Sequence, residues 1–193
     1  FVTSMGNNSY SAHRNHPRYL RINLLKASKD SVVQSLESQG FLRMDKFSAE
    51  PSDMKDKTNN AKFFCADEMI PDLLTVWNKV DLHDHYLVRN GLVLQQDKAS
   101  TFPVHALIGT GTSNPDRKFA FIIDACAAPG NKASHLASIA LDRTKGLLVA
   151  IEKSTEREKL LRDTLRRLGC PSVRVCRGDW LQVPPDDEFF SQA

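Results

Sequence analysis

The chain has 193 residues with 26 Lys or Arg against 23 Asp or Glu, a net charge of +3. Its hydrophobic content of 41% and charged content of 25% are typical of a globular protein and exclude a disordered, collagenous or coiled-coil chain. No apolar run is long enough to span a membrane. The length suits one domain with part of a second, and because the first residue is Phe1 rather than Met, we expect a fragment.

Positive charge is concentrated in two stretches. Residues 1–26 carry four basic side chains and no acidic one, and residues 153–177 carry eight basic against three acidic side chains. This distribution fits a surface that follows nucleic-acid phosphates; the alternative is a solvated helix face with acid–base pairs one turn apart. None of the four cysteines forms a C-x-x-C pair, and no histidine spacing is typical of a metal site. We therefore predict no bound metal and an intracellular, reducing compartment.

The N-terminal part of the chain predicts a flexible leader followed by a small α+β domain. The leader at residues 1–16 is rich in Ser, Asn and His, and the domain is expected over residues 17–95. The apolar patterns predict strands at Tyr19–Leu25, Phe41–Phe47 and Gly91–Gln95, a helix from Ser28 to Gln39, a loop at residues 50–61 and a helical turn at Pro71–Trp77.

From residue 96 to residue 193, short apolar strands alternate with helices. The pattern predicts helices at residues 98–108, 131–142 and 155–168, and strands at residues 119–124, 147–151 and 173–176. This alternation is typical of a parallel sheet with βαβ crossovers. The expected fold class is α/β: an incomplete Rossmann-like domain, preceded by the small α+β domain.

One segment combines a tight turn with binding chemistry: Asp124-Ala-Cys-Ala-Ala-Pro-Gly-Asn-Lys132, between a strand and a helix. Ligands of open α/β sheets bind at the carboxyl ends of the strands, and small residues let the backbone approach them. Lys132 and the helix start suit a carboxylate. Glu152 ends the second strand and is placed for ribose hydroxyls, while Asp179 follows the third and is placed for an adenine amino group, with Trp180 over the ring.

A carboxylate, a ribose and a base together indicate S-adenosyl-L-methionine. A dinucleotide is disfavoured because the turn lacks a G-x-G-x-x-G pattern. The alternatives are a solvated strand end for Glu152 and a simple turn residue for Asp179. For Cys126 we favour a structural role in the turn over a nucleophilic one, since no neighbour in sequence would lower the pKa of its thiol.

The Asp124–Lys132 segment resembles the first motif of the Nop/Sun (RsmB-like) family of RNA cytosine-5 methyltransferases. The likeness runs from about Pro17 to Val183. Pro17-Arg-Tyr-Leu-Arg-Ile-Asn23 resembles the first strand of the family, and Gly91-Leu-Val-Leu-Gln-Gln-Asp-Lys-Ala-Ser100 resembles its Q-D-x-A-S segment. With Asp81-Leu-His-Asp-His85, the chain is most similar to the eukaryotic branch that acts on large-subunit ribosomal RNA.

The resemblance implies S-adenosylmethionine as the cofactor, ribosomal RNA as the partner, no membrane association, and a place in the nucleus or nucleolus. The cofactor-binding residues that it implies are Cys126, Ala127, Ala128, Pro129, Gly130, Asn131, Lys132, Glu152 and Asp179. Family members use one cysteine to attack C6 of cytosine, which makes C5 nucleophilic, and a second cysteine to assist release. The corresponding motifs would lie beyond Ala193, so we assign no catalytic residue within this chain.

Two other functions remain open from the residues. A chain that naturally ended at Ala193 would be a catalytically inactive RNA-binding or scaffold protein. A small-molecule methyltransferase is disfavoured by the N-terminal domain and by the basic helix. We also expect the strand at residues 119–124 to be a bare apolar edge in this chain, which predicts poor solubility and no activity for residues 1–193 alone.

Overall fold

The structure is a computed structural model that describes residues 17–46, 62–77, 81–109 and 117–184. Over these residues the chain forms a five-stranded mixed sheet and then a three-stranded parallel sheet. The predicted leader and the predicted loop at residues 50–61 lie outside the described residues. Within the described part of the chain, no helix is long and apolar enough to cross a membrane.

The first sheet has the strand order β2-β3-β4-β1-β5, in which only β2 and β3 pair in parallel. Its strands are β1 (Arg18–Ile22), β2 (Phe41–Arg43), β3 (Lys62–Ala66), β4 (Leu73–Val76) and β5 (Val93–Gln95). The three of these strands that were predicted, β1, β2 and β5, are two to four residues shorter than expected.

Helix α1 (Lys29–Ser38) lies on this sheet, close to its predicted bounds. It begins after Ser28, whose side chain accepts a hydrogen bond from the Ser31 amide. Val32 and Leu36 face the sheet and join its core. A single short turn, α2 (Tyr86–Arg89), precedes β5.

The helical turn predicted at Pro71–Trp77 is wrong. Leu73–Val76 form the strand β4, which lies between β3 and β1 and has all four side chains buried. A strand that is buried on both faces shows no alternation of apolar and polar residues, so a short apolar run does not distinguish it from a buried helix.

The second sheet contains β6 (Phe121–Asp124), β7 (Leu147–Glu152) and β8 (Val173–Arg177), parallel and in that order. Among the described residues, β6 hydrogen-bonds with β7 alone. The second core lies between this sheet and helices α3 (Lys98–Ile108) and α5 (Thr155–Leu168), both of which have their predicted bounds.

The helix predicted at residues 131–142 is shorter than expected. Helix α4 (Asn131–His135) continues as a π-helical segment, Leu136–Ala140. The Leu141 amide donates to the Leu136 carbonyl at 2.9 Å, and Leu141 forms a parallel bridge with Phe119. The helix therefore ends where the chain turns to pair with the segment that leads into β6.

Candidate cofactor-binding site

The carboxyl ends of β6, β7 and β8 meet at one cavity of about 300 Å³. Each of the three strand ends contributes one predicted residue to its wall: Cys126, Glu152 and Asp179. The rest of the wall is formed by Ala125, Lys153, Arg157, Gly178, Trp180 and Leu181. The volume is at the lower end of the range of small-molecule sites, and the position is the one expected of a ligand of a parallel sheet.

The turn between β6 and α4 is held tightly between β7 and α5. The Ala127 amide donates to the Ile151 carbonyl of β7 at 3.0 Å. Gly130 has a φ of +109°, and a Cβ at this position would lie 3.1 Å from Leu161 Cδ1 and 3.3 Å from Thr164 Cγ2 of α5. Glycine is therefore required both by the backbone conformation and by the close approach of the helix.

Six of the nine predicted residues lie in this turn or at the start of α4 and do not line the cavity. Three of them are buried in the turn: Ala127, Ala128 and Gly130. Asn131 is half-buried, and Pro129 and Lys132 are exposed. The turn reaches the cavity wall through Ala125 and Cys126. A contact of the six residues with a cofactor stays a prediction.

Glu152 is a buried carboxylate on the cavity wall, not a solvated strand end. Its side chain is 7% exposed. One carboxylate oxygen accepts a hydrogen bond from the Ser154 amide at 3.0 Å, and the other lies 3.6 Å from Arg157 Nη2. Its carbonyl accepts the Gly178 amide, which ties the end of β7 to the end of β8. Each carboxylate oxygen has two lone pairs, so Glu152 keeps acceptor capacity for a ligand.

Asp179 is a turn residue and also forms part of the cavity wall. Its Oδ1 accepts the Leu181 amide at 3.1 Å, which starts the single 3₁₀ turn Trp180–Gln182. Its Oδ2 lies 4.0 Å from Lys153 Nζ. The turn interpretation is thus correct for one oxygen, and the second oxygen is available at the cavity.

Two residues that contact the turn had no role assigned to them from the sequence. Arg157 Nη2 donates to the Ala128 carbonyl at 2.8 Å, so this side chain connects the turn with Glu152. Asp124 Oδ1 accepts the Cys126 amide at 3.3 Å, while its Oδ2 is buried with no hydrogen-bond partner among the described residues. Burial raises the pKa of Asp124, opposed by the Cys126 amide and by the charge of Lys132.

A signal for Arg157 was present in the sequence. A positive side chain in the first turn of a helix opposes the helix dipole, and Arg157 lies in the first turn of α5, among acidic residues. Such a placement indicates another interaction.

The basic stretch at residues 153–177 is largely paired within the protein. Arg162 lies 2.7 Å from Glu158 and donates to the Val175 carbonyl at 2.9 Å. Arg166 lies 2.7 Å from Asp163. The alternative interpretation of this helix, a solvated face with acid–base pairs, describes these two arginines.

The structure also brings together three buried residues for which the sequence predicted no metal site. Asp72 Oδ1 lies 2.9 Å from His105 Nε2, and Asp72 Oδ2 lies 2.9 Å from His135 Nε2. By donor type and spacing this group could hold a divalent cation. Burial raises the pKa of Asp72, but hydrogen bonds with the two histidines outweigh it and hold this pKa well below its usual range. The charge of Asp72 in turn acts on the buried Arg21, where it opposes the lowering of the pKa by burial.

The described fold is a Rossmann-like α/β domain behind a small α+β domain, as predicted, with a cavity of ligand size at the ends of its parallel strands. A methyltransferase homologue protein from Pyrococcus horikoshii superposes with a TM-score of 0.64, covering 86% of this chain and 45% of that chain at 24% identity. The structure of NSun6 from the same organism superposes with a TM-score of 0.58, covering 86% of this chain and 58% of that chain at 18% identity.

Sequence comparisons then place the chain in a family. The ferredoxin-like domain of NOL1/NOP2/Sun domain family member 5 matches residues 16–96, and the 16S rRNA methyltransferase RsmB/F family matches residues 113–191. The chain therefore belongs to the Nop/Sun (RsmB-like) family, and the resemblance found in the sequence is confirmed.

Similar curated proteins include eukaryotic ribosomal RNA methyltransferases. The 25S rRNA (cytosine-C(5))-methyltransferase of Arabidopsis thaliana is 36% identical over 91% of this chain and 26% of its own length. The 28S rRNA (cytosine-C(5))-methyltransferase of Mus musculus is 32% identical over 91% of this chain and 35% of its own length. The chain thus spans about a third or less of the length of these relatives.

Proposed function

We propose that this chain supplies the S-adenosylmethionine-binding part of an RNA cytosine-C5 methyltransferase that acts on large-subunit ribosomal RNA. The observation that carries the proposal is the convergence of Cys126, Glu152 and Asp179, from three strand ends, on one cavity. The names of the Arabidopsis and mouse relatives support the choice of RNA and of the reaction.

The residues of the cavity fit this cofactor. Glu152 is buried and keeps free lone pairs, which suits ribose hydroxyl groups. Asp179 presents its second oxygen for an adenine amino group, and Trp180 lines the same wall beside it. Lys132 lies outside the cavity wall, at the start of α4, and we propose that its positive charge faces the carboxylate of the cofactor. When bound, S-adenosylmethionine supplies an electrophilic methyl group.

The covalent step of the reaction needs a thiolate, and the described cysteines outside the cavity do not suit it. Burial raises the pKa of the Cys170 thiol to about 11. Burial likewise raises the pKa values of the Cys65 and Cys176 thiols. Protonated thiols are poor nucleophiles at neutral pH. We assign no catalytic cysteine in this chain. The role that we propose for the chain is to bind and orient the cofactor. We also propose a nucleolar location, because the proposed substrate is ribosomal RNA.

Titration calorimetry of S-adenosylmethionine into the protein tests the cofactor site. We expect binding, and a loss of about 1–3 kcal/mol of binding free energy in each of Glu152→Ala and Asp179→Ala. Glu156→Ala and Asp163→Ala are matched controls, since both carboxylates lie on α5 and neither lines the cavity. Full affinity in both site variants would refute the site.

Because we assign no catalytic cysteine in this chain, the reaction is tested with a full-length protein that contains it, as transfer of a labelled methyl group to large-subunit ribosomal RNA. The product is expected at C5 of cytosine, detected by resistance to bisulfite deamination. Tight RNA binding without cofactor binding or methyl transfer would instead identify an inactive RNA-binding scaffold.

A further inference from the structure

A buried arginine of the first domain reaches into the cofactor-binding motif. Arg21 lies in β1 and is fully buried. Its Nη2 donates to Ser134 Oγ at 2.8 Å and to the Asn131 carbonyl at 3.2 Å, both on α4. Its Nε donates to Gln96 Oε1 at 2.6 Å. One guanidinium therefore connects the first sheet with the helix that follows the cofactor turn.

The residue that precedes β4 makes a second contact with the same helix. Asp72 lies beside Arg21 across the β1–β4 pair, since the Ile22 amide donates to the Asp72 carbonyl at 2.8 Å. Asp72 Oδ2 lies 2.9 Å from Nε2 of His135, the last residue of α4, and His135 is fully buried. The end of the first sheet thus lies against α4 along its length, with hydrogen bonds from Arg21 to Asn131 and Ser134 and a close approach of Asp72 to His135.

These contacts act on the turn because the turn and α4 are continuous. Asn131 is the first residue of α4 and follows Gly130 directly. The Ser134 amide donates to the Gly130 carbonyl at 2.8 Å, so a shift of Ser134 moves the turn. At the other end of the turn, Cys126 lines the cavity.

The chemistry of Arg21 makes this contact hard to replace. Burial lowers the pKa of Arg21 to about 10, with the charge of Asp72 opposing this shift, so the guanidinium stays charged at pH 7. Its planar fork reaches Gln96 in one direction and α4 in another. A lysine would offer one point charge and would lose that geometry.

We propose that Arg21 and Asp72 are positioning residues for the cofactor-binding turn, so that the small N-terminal domain is a structural part of the S-adenosylmethionine site. The inference rests on the proposed function for the identity of the ligand. It assigns the first domain a role in cofactor affinity that is separate from any contact with RNA.

Calorimetry with S-adenosylmethionine on Arg21→Lys tests the inference. We expect affinity to fall about tenfold, as for a lost charged hydrogen bond near the ligand. Arg18→Lys is the matched control, because Arg18 lies on the same strand and is exposed. Val32→Ala removes apolar atoms from the core of the first domain, away from α4. It is expected to lower the melting temperature and to leave the affinity unchanged, which separates positioning from general destabilisation.

A double-mutant cycle locates the effect. Ser134→Ala removes the acceptor of the Arg21 contact, so the losses of affinity in Arg21→Lys and Ser134→Ala should not add in the double variant. Fully additive losses, or an unchanged affinity in Arg21→Lys, would overturn the proposal.

Hydrogen exchange of the Ser134 amide, measured without cofactor, keeps the two proposals distinguishable. Protection is expected to fall in Arg21→Lys and to persist in Arg18→Lys. Unchanged protection in Arg21→Lys overturns the positioning role even if the proposed function stands. If protection falls in Arg21→Lys but the wild-type protein does not bind S-adenosylmethionine, the proposed function alone is overturned. Zinc bound to the purified protein, and lost in Asp72→Asn, would overturn the direct contact between Asp72 and His135.

Discussion

Arg157 and Glu152 form an ion pair on the wall of the cavity, with 3.6 Å between Arg157 Nη2 and Glu152 Oε2. The same nitrogen donates to the Ala128 carbonyl at 2.8 Å. The guanidinium therefore holds both the carboxylate that we assign to the ribose and the backbone of the turn. Since Glu152 is buried and Arg157 is exposed, the pair fixes the orientation of the carboxylate more than it adds to stability.

Arg157→Gln should weaken the binding of S-adenosylmethionine by about fivefold, because a lost charged hydrogen bond frees the turn and the carboxylate. The measurement is calorimetry at 25 °C. Arg166→Gln is the control, since Arg166 lies on the same helix, pairs with the exposed Asp163 and does not line the cavity. Equal affinities in the two variants would contradict the positioning role of Arg157.

Gly130→Ala should lower the free energy of unfolding by about 2–4 kcal/mol. A side chain here is strained by the φ of +109° and meets Leu161 and Thr164 of α5 at 3.1 and 3.3 Å. Urea denaturation followed by circular dichroism gives the value.

Two other glycines separate the effect of backbone strain from the effect of the contact with α5. Gly40 has a φ of +81° and no atom within 4 Å of an added Cβ, so Gly40→Ala reports the backbone strain alone and should cost about 1 kcal/mol. Gly178 has neither a positive φ nor an atom within 4 Å, and Gly178→Ala should be close to neutral. A Gly130→Ala loss no larger than that of Gly40→Ala would show that the contact with α5 is unimportant.

The sequence predicts best those elements whose signals are local. Helix α5 has a Ser154 cap, a stripe of leucines and a terminal glycine, and its bounds were correct. The three parallel strands of the second sheet are also predicted, to within two residues at each end, from short apolar runs between turns, whereas β3 of the first sheet is not. The strand β4 was missed because its identity depends on the two strands that enclose it, which are not visible in a four-residue run.

The same distinction applies to the site. Glu152 ends one strand and Asp179 follows the next, so topology alone predicts that they meet, and the structure places both on one wall. The contacts of Arg21 with Ser134 and of Asp72 with His135 join residues far apart in the chain and in different sheets or helices. Their pairing depends on how the two halves of the chain pack, which no local pattern records.

Acidification should destabilise the protein through His135. Burial lowers the pKa of His135 to about 4; the hydrogen bond with Asp72 opposes this shift, and the charge of Arg21 adds to it. The unfolded chain binds a proton near the ordinary value of 6.5, while the folded protein does not until about pH 4. The free energy of unfolding therefore falls as the pH drops through this window, by about 3 kcal/mol in total.

Urea denaturation at several pH values between 4 and 7 measures this dependence. His135→Asn should flatten the curve in that range, whatever its effect on stability at pH 7. The groups that face His135 are Arg21, Asp72 and His105, and all of them remain in this variant. His83→Asn is the control, since His83 is exposed, and it should leave the slope unchanged. An equal slope in wild type and His135→Asn would contradict the prediction.

Asn23 connects the two halves of the chain and should be among the most sensitive positions for stability. It is fully buried, and its Nδ2 donates to the Gly91 and Leu168 carbonyls, each at 2.8 Å. Asn23→Ala leaves two buried carbonyls without this donor and should cost about 2–3 kcal/mol. Asn23→Asp is nearly the same shape but places a carboxylate against both carbonyls, so it should cost about 2 kcal/mol more.

Asn90→Asp, at an exposed position, controls for the change of charge and should be close to neutral. Urea denaturation at pH 7 ranks the three variants, and an Asn23→Asp variant as stable as Asn23→Ala would show that the two carbonyls do not depend on the amide donor.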